Sequence, residues 1–209
     1  MTKIRNIIFD FGGVIYNVRY ENMTERLAEL GMSEAAAFYS KDHQTNEMDL
    51  FEVGKIGADE FRDYLRRASG LEVDDVTLDG AINAMLLGLP KGHVDLLLGV
   101  KERYRTFLFS NTNEIHCRRF TEEIDEQYGF DVLGTCFERT YMSHRIHMKK
   151  PAREGFRLIV EENGLMPEET LFVDDIAANL RGAREMGMAT HHLTGDLVDL
   201  FDENFELRI

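Results

Sequence analysis

The sequence predicts an α/β protein, a doubly wound parallel sheet with an α-helical segment inserted after its first strand. Three observations lead there. Short apolar runs at Arg5-Asn6-Ile7-Ile8-Phe9, Thr106-Phe107-Leu108-Phe109 and Leu171-Phe172-Val173 each stop abruptly on polar residues, as strands buried on both faces do. Stretches of 3.6-residue periodicity follow the later runs, the alternation expected of helices covering a parallel sheet. Between the first and second runs lies a long, mostly helical stretch.

The elements follow in chain order. The first run ends at Asp10, and Gly12-Gly13 supply a tight turn. From about Tyr20 the pattern becomes helical: Met23, Leu27 and Leu30 fall at i, i+4 and i+7, and Gly31 is a stop signal. Ala58 to Leu65 repeats the period, as do Val94, Leu97 and Leu98. After the strand at 106–109, Ser110-Asn111-Thr112 leads into a helix near 114–127. A helix over 152–163 follows Lys150-Pro151, and the strand at 171–173 ends on Asp174-Asp175. A helix near 177–186 stops at Gly187, and His191-His192 ends a late strand. This division gives residues 1–16 and 91–209 to the sheet core and 17–90 to an inserted helical cap.

Composition removes several functions. The 209 residues carry 24 Lys and Arg against 38 Asp and Glu, a net charge of −14 that argues against nucleic acid or an anionic membrane as partner. No apolar run approaches the roughly 18 residues of a membrane span. The N-terminus, MTKIRNIIFDFGG, meets an acid after three consecutive apolar residues, which is not the pattern of a signal peptide. Cys117 and Cys136 make no disulfide framework, so a cytoplasmic, reduced setting is the expectation. A monomer is expected as well.

In open parallel sheets, ligands bind outside the carboxyl ends of the strands. There the sequence places Asp10, Ser110-Asn111 and Asp174-Asp175. Carboxylates abutting buried strands are costly unless paired or metal-bound, and two such sites facing each other invite a hard divalent cation. Oxygen ligands suit Mg²⁺. The plainer reading of each acid alone is a cap on the helix that follows it. Residues 139–153 hold five Lys and Arg and two His without one Asp or Glu, a candidate anion site, with a solvated basic loop as the alternative. Lys150 stands out there, because Pro151 fixes the backbone and a helix begins just beyond.

Phe9-Asp10-Phe11-Gly12-Gly13-Val14, Ser110-Asn111, Lys150-Pro151 and Val173-Asp174-Asp175 resemble, in order and spacing, the four motifs of the haloacid dehalogenase-like hydrolase superfamily. The resemblance spans residue 5 to about residue 193, and the helical insertion resembles that family's cap. The run from Val173 to Leu180 is similar to the phosphatase domain of soluble epoxide hydrolase, and the Gly-Gly form of the first motif to a bacterial glucose-1-phosphate phosphatase group. What this implies is a Rossmann-like core and a Mg²⁺-dependent phosphatase of small phosphorylated metabolites, with sugar phosphates the favoured class. By the same resemblance Asp10 is the nucleophile that forms an aspartyl-phosphate. Mg²⁺ would be held by Asp10, the Gly12 carbonyl and Asp175, with Asp174 supporting them or bound through water. The Ser110 hydroxyl and the Asn111 N–H would hold the phosphoryl group, Lys150 would offset its charge, and Asn179 would orient Asp175.

One position departs from the family pattern. Most of its phosphatases carry an acid two residues after the nucleophile, worth roughly 10²–10⁴-fold as a general acid, and here that residue is Gly12. Three consequences are open: a preference for leaving groups of low pKa, a proton from Tyr16 or His147, or a member that binds phospholigands without turnover. A 2-haloacid dehalogenase would also use Asp10, but the Asp174-Asp175 doublet makes little sense without a cation. Adjacent His191 and His192 point to opposite strand faces, so they do not chelate one ion. Cys117, beside Arg118-Arg119, is read as a packed or surface thiol, Met23 and Met85 as core fillers, and Asp196 to Glu206 as a solvated amphipathic end.

Overall fold

The computed structural model describes residues 3–32, 46–70 and 72–208. Five parallel strands form the centre: β1 (Asn6–Phe9), β4 (Arg105–Ser110), β5 (Arg139–Met142), β6 (Thr170–Asp174) and β7 (Ala189–His192), in the order β5-β4-β1-β6-β7. The chain therefore starts in the middle strand, builds outward on one side through β4 and β5, then returns to the other side through β6 and β7. That reversal opens a crevice at the carboxyl end of β1. The register aligns Phe9 with Leu108 on one side and with Val173 on the other, so Asp10 emerges between the ends of β4 and β6.

Strand alternation sorts the apolar residues onto two faces. Ile7, Phe9, Leu108, Leu171 and Val173 share a cluster with Val94 and Leu97 of α5 (Lys91–Val100) and Phe120 and Ile124 of α6 (Glu114–Tyr128). Ile8, Phe107, Phe109 and Phe172 join Phe156 and Ile159 of α9 (Arg153–Asn163) and Leu180 and Ala183 of α10 (Leu180–Glu185) on the other face. Each fully buried phenylalanine contributes on the order of 2 kcal/mol through removal from water. Two short helices, α7 (Val132–Cys136) and α8 (Ser143–Ile146), flank β5.

The insertion holds α1 (Tyr20–Glu29), α2 (Asn46–Glu52), α3 (Ala58–Ser69) and α4 (Asp75–Asn83). Met23, Leu27, Phe51, Phe61, Leu65, Leu78 and Ile82 form their own cluster, with Phe51 and Phe61 stacked at 4.4 Å between ring centroids. Ile115 of α6 belongs to the same cluster, so the insertion is seated on the first turn of a core helix. At its root β2 (Asn17–Val18) and β3 (Leu86–Gly88) pair antiparallel. Residues 33–45 of the expected cap lie outside the described residues.

Three expectations need correction. Residues 139–153 are not one basic loop: they open with strand β5 and helix α8. The 177–186 helix is a 3₁₀ turn at Ala177–Asn179 followed by α10. The acidic C-terminal segment is not merely solvated, because Leu197, Leu200 and Phe201 are buried in the cluster that contains β1. Cys117 and Cys136 are buried free thiols, and Met23 and Met85 fill the insertion's core. Among the described residues no helix is long and apolar enough to cross a membrane.

Candidate active site

Asp10 follows β1, and its N–H donates to the Val173 carbonyl at 2.9 Å, which carries the strand pairing one residue beyond the strand. Its carboxylate accepts the Phe11 N–H at 2.7 Å and the Lys150 ammonium at 2.6 Å. The same ammonium donates to Asp174 Oδ2 at 2.8 Å, and all three residues are buried. The rings of Phe172 and Phe109 lie 5.5 and 5.8 Å from Lys150 Nζ, which adds cation–π attraction to the ion pairs.

Carboxylate oxygens of Asp10, Asp174 and Asp175 all come within 4.8 Å of one another. Two of these carboxylates, Asp10 and Asp174, meet the ammonium of Lys150, so the cluster of three carries surplus negative charge. Burial and then the charge of Asp174 raise the Asp10 carboxyl well above the ordinary carboxylate range, with Lys150 acting against them. Burial draws Lys150 down, but Asp10 and Asp174 outweigh it and hold the ammonium above its usual value. A cluster of hard oxygen ligands carrying surplus negative charge fits a divalent cation such as Mg²⁺.

Asp174 and Asp175 have different surroundings. Asp174 Oδ1 accepts the Ile176 N–H at 2.7 Å and the Asn179 amide at 3.0 Å, while Oδ2 takes Lys150. Asn179 therefore orients Asp174, not Asp175 as expected from the sequence. Asp175 is half-buried and lies against Gly13, whose φ of +82° is a left-handed conformation that favours glycine. A Cβ on Gly13 would lie 2.6 Å from Asp175 Cγ, so the second glycine of the turn is what makes room for this carboxylate.

Ser110 ends β4, buried beside this crevice. Asn111 and Lys150 bind each other: Lys150 N–H donates to Asn111 Oδ1 at 2.8 Å, and Asn111 Nδ2 donates to the Lys150 carbonyl at 3.0 Å. The sheet brings together Asp10, Ser110, Asn111, Lys150, Asp174 and Asp175, with Gly12 and Gly13 in the turn below.

The other candidates lie elsewhere. Tyr16 is a core residue, its ring 5.2 Å from Phe11 and 6.1 Å from Phe120. The His147 Nδ1 is engaged with the Val53 carbonyl at 2.8 Å. The basic segment is not an anion site as a whole, since Arg139 pairs with Glu162 at 2.8 Å and Lys149 with Asp49 and Glu52 at 2.5 and 3.0 Å. Only Lys150 of that set reaches Asp10. A residue that the motifs did not single out is Tyr20, at the start of α1. Burial, then the charges of Asp10 and Asp175, raise its phenol far above the usual value and keep it protonated. A cleft of about 810 Å³ opens at the opposite edge of the sheet, but its Arg5, Arg103 and Arg105 already pair with Glu169, Glu206 and Glu138.

An acid emerging from the middle strand, a lysine bound to it and a carboxylate cluster at the switch point define a hydrolase of the doubly wound α/β class. The chain belongs to the haloacid dehalogenase-like hydrolase family, whose profile matches residues 4–187. It is 32% identical over 187 residues, 90% of either chain, to D-ribitol-5-phosphate phosphatase of Bacteroides thetaiotaomicron. A crystal structure of the HAD family enzyme BT-2542 from the same organism superimposes with a TM-score of 0.90 at 33% identity, over 96% of this chain and 100% of that one. That structure is of a point mutant in complex with magnesium and inorganic phosphate. A HAD-like family hydrolase from Porphyromonas gingivalis gives 0.83 at 28% identity, covering 91% of each chain.

Proposed function

We propose that this protein is a Mg²⁺-dependent phosphatase of small phosphorylated metabolites, with phosphorylated sugar alcohols the favoured class. The observation that carries it is the Asp10–Lys150 pair at 2.6 Å inside a three-carboxylate cluster. The relative that acts on D-ribitol 5-phosphate supports the substrate class. Residues 17–90 serve in this reading as the cap, with 1–16 and 91–209 as the catalytic core.

Asp10 Oδ attacks phosphorus in line, and the bond from phosphorus to the substrate's alkoxide oxygen breaks. The leaving oxygen takes a proton and departs as the alcohol. Water then attacks phosphorus, releasing inorganic phosphate and restoring the Asp10 carboxylate. Lys150, fixed by Asp10, Asp174 and the Asn111 pairing, neutralises charge on the phosphoryl oxygens, and Ser110 and the Asn111 N–H bind them. Asp10, the Gly12 carbonyl and Asp175 would hold Mg²⁺, with Asp174 held back by its protein donors. The ion would supply charge neutralisation that lets the carboxylate approach an anionic phosphate.

A primary alkoxide is a poor leaving group, and Gly12 offers no acid to protonate it. This weakens the expectation that the enzyme is confined to leaving groups of low pKa. Burial and the neighbouring carboxylates make the Tyr20 phenol a weaker acid than usual, Tyr16 is packed in the core and His147 is engaged with Val53, so in this reading the leaving oxygen takes its proton from water. The test is phosphate release from ribitol, xylitol, arabinitol and glucose phosphates, with halide release from 2-chloropropionate run alongside. Preference for a polyol phosphate supports the proposal. Tight binding of polyol phosphates without turnover would identify a phospholigand sensor, and halide release a dehalogenase.

A further inference from the structure

Resting on the reading of Asn111 and Lys150 as phosphate ligands, we infer that Glu52, in the insertion, is a positioning residue that couples docking of the helical insertion to the geometry of the phosphate site. Glu52 is the last residue of α2 and is only 2% exposed. Its carboxylate accepts from Lys149 Nζ at 3.0 Å, and its carbonyl accepts from the Ser143 hydroxyl at 2.6 Å. Ser143 Oγ in turn accepts the Thr112 N–H at 2.9 Å. Lys149 precedes Lys150 and Thr112 follows Asn111, and Asn111 and Lys150 are bound to each other. The contacts close into a ring: Glu52, Lys149, Lys150, Asn111, Thr112, Ser143 and back to Glu52.

One side of that ring belongs to the insertion and the rest to the two core segments that hold the phosphate. A carboxylate this deeply buried is costly without its cation, so Glu52 is satisfied when α2 sits on residues 143–149. Gly54 shows how closely the surfaces meet, since a Cβ there would lie 2.1 Å from the His144 carbonyl oxygen. Seating the insertion therefore fixes both phosphate-binding segments, and by linkage a phosphate held by those segments must favour the seated insertion. Glu52 acts through Lys149 and Ser143 without needing to touch substrate.

The test uses the full chain, saturating Mg²⁺ and inorganic phosphate as probe. Phosphate affinity is measured by calorimetry, and backbone hydrogen exchange over 51–58 is followed with and without phosphate. In the wild type phosphate slows that exchange. Glu52→Gln weakens phosphate roughly 5- to 150-fold, the span of ordinary coupling, and abolishes the protection. Lys149→Met, at a quarter-exposed side chain that is less demanding on folding, does the same, and the double variant is no worse than either single one. Arg66→Met, which removes the contacts of Arg66 with Asp63 and Asp75 inside the insertion, changes neither readout. Wild-type affinity with intact protection in the first two variants overturns the inference. So do additive losses in the double variant, or an equal loss in Arg66→Met. Binding and protection without turnover would defeat the phosphatase reading and leave this coupling standing, whereas a wild type that binds no phosphate overturns both.

Discussion

Replacing Gly13 by alanine attacks the site through the backbone. The residue sits at φ +82°, where an L-residue costs about 1–2 kcal/mol. Its new Cβ would lie 2.6 Å from both Cγ and Oδ2 of Asp175 and 2.9 Å from Oδ1. Non-bonded carbon contacts are comfortable near 3.5–4.0 Å, so the carboxylate must retreat by about 1 Å. A displacement of that size at a reacting centre costs on the order of 100-fold in rate, and disturbed support of a ligand about 10- to 100-fold in metal affinity. The control is Gly92→Ala in α5, remote from the site, whose Cβ would meet nothing within 4 Å. Urea unfolding together with the Mg²⁺ dependence of phosphate release reads both effects. Gly13→Ala should lose about 1–2 kcal/mol and need far more Mg²⁺, while Gly92→Ala stays near wild type. A Gly13→Ala protein with wild-type stability and Mg²⁺ half-saturation would refute this account of Asp175.

Three further outcomes follow from the same geometry. His116 donates from one ring nitrogen to the Ile82 carbonyl at 3.2 Å and accepts from Asn113 at 3.1 Å at the other, and burial lowers its pKa from 6.5 to about 4. The unfolded chain takes up the proton first, so this stability is present above pH 6.5 and is lost as pH falls toward 4. Wild type should lose about 2 kcal/mol at pH 5 relative to His116→Gln, measured by urea unfolding at both pH values. Lys150→Met leaves Asp10 and Asp174 buried without their ammonium and should cost about 3–5 kcal/mol without Mg²⁺. In the wild type, Mg²⁺ at a hundred times its Kd should add about 2.7 kcal/mol, read as a rise in Tm of roughly 5–10 °C.

What was legible in the sequence is what local pattern encodes. β1, β4 and β6 are apolar runs cut off by polar residues, and their pairing in register delivers Asp10, Ser110 and Asp174 to one edge. Strand β5 escaped because it is an edge strand whose first half is not buried, and Arg139-Thr140 read as part of a basic loop. The β2–β3 pair escaped because segments of two and three residues carry no period. The Asn179 amide was expected to serve Asp175, but the 3₁₀ turn folds it back onto Asp174. Seating of the insertion on the core was invisible, since Ser143 meets Glu52 and Lys149 meets Asp49 across 91 and 100 residues of chain. Nor does a tyrosine after a short strand announce that it lies in the field of Asp10 and Asp175.

Asp10 as a metal-dependent nucleophile toward phosphorus is the central claim. Its most direct test is phosphate release from D-ribitol 5-phosphate by wild type and Asp10→Asn, each with Mg²⁺ and with EDTA. The account predicts turnover by the wild type with Mg²⁺ alone, and none by Asp10→Asn in either condition. Wild-type turnover that survives EDTA, or an Asp10→Asn protein that retains activity, would contradict it.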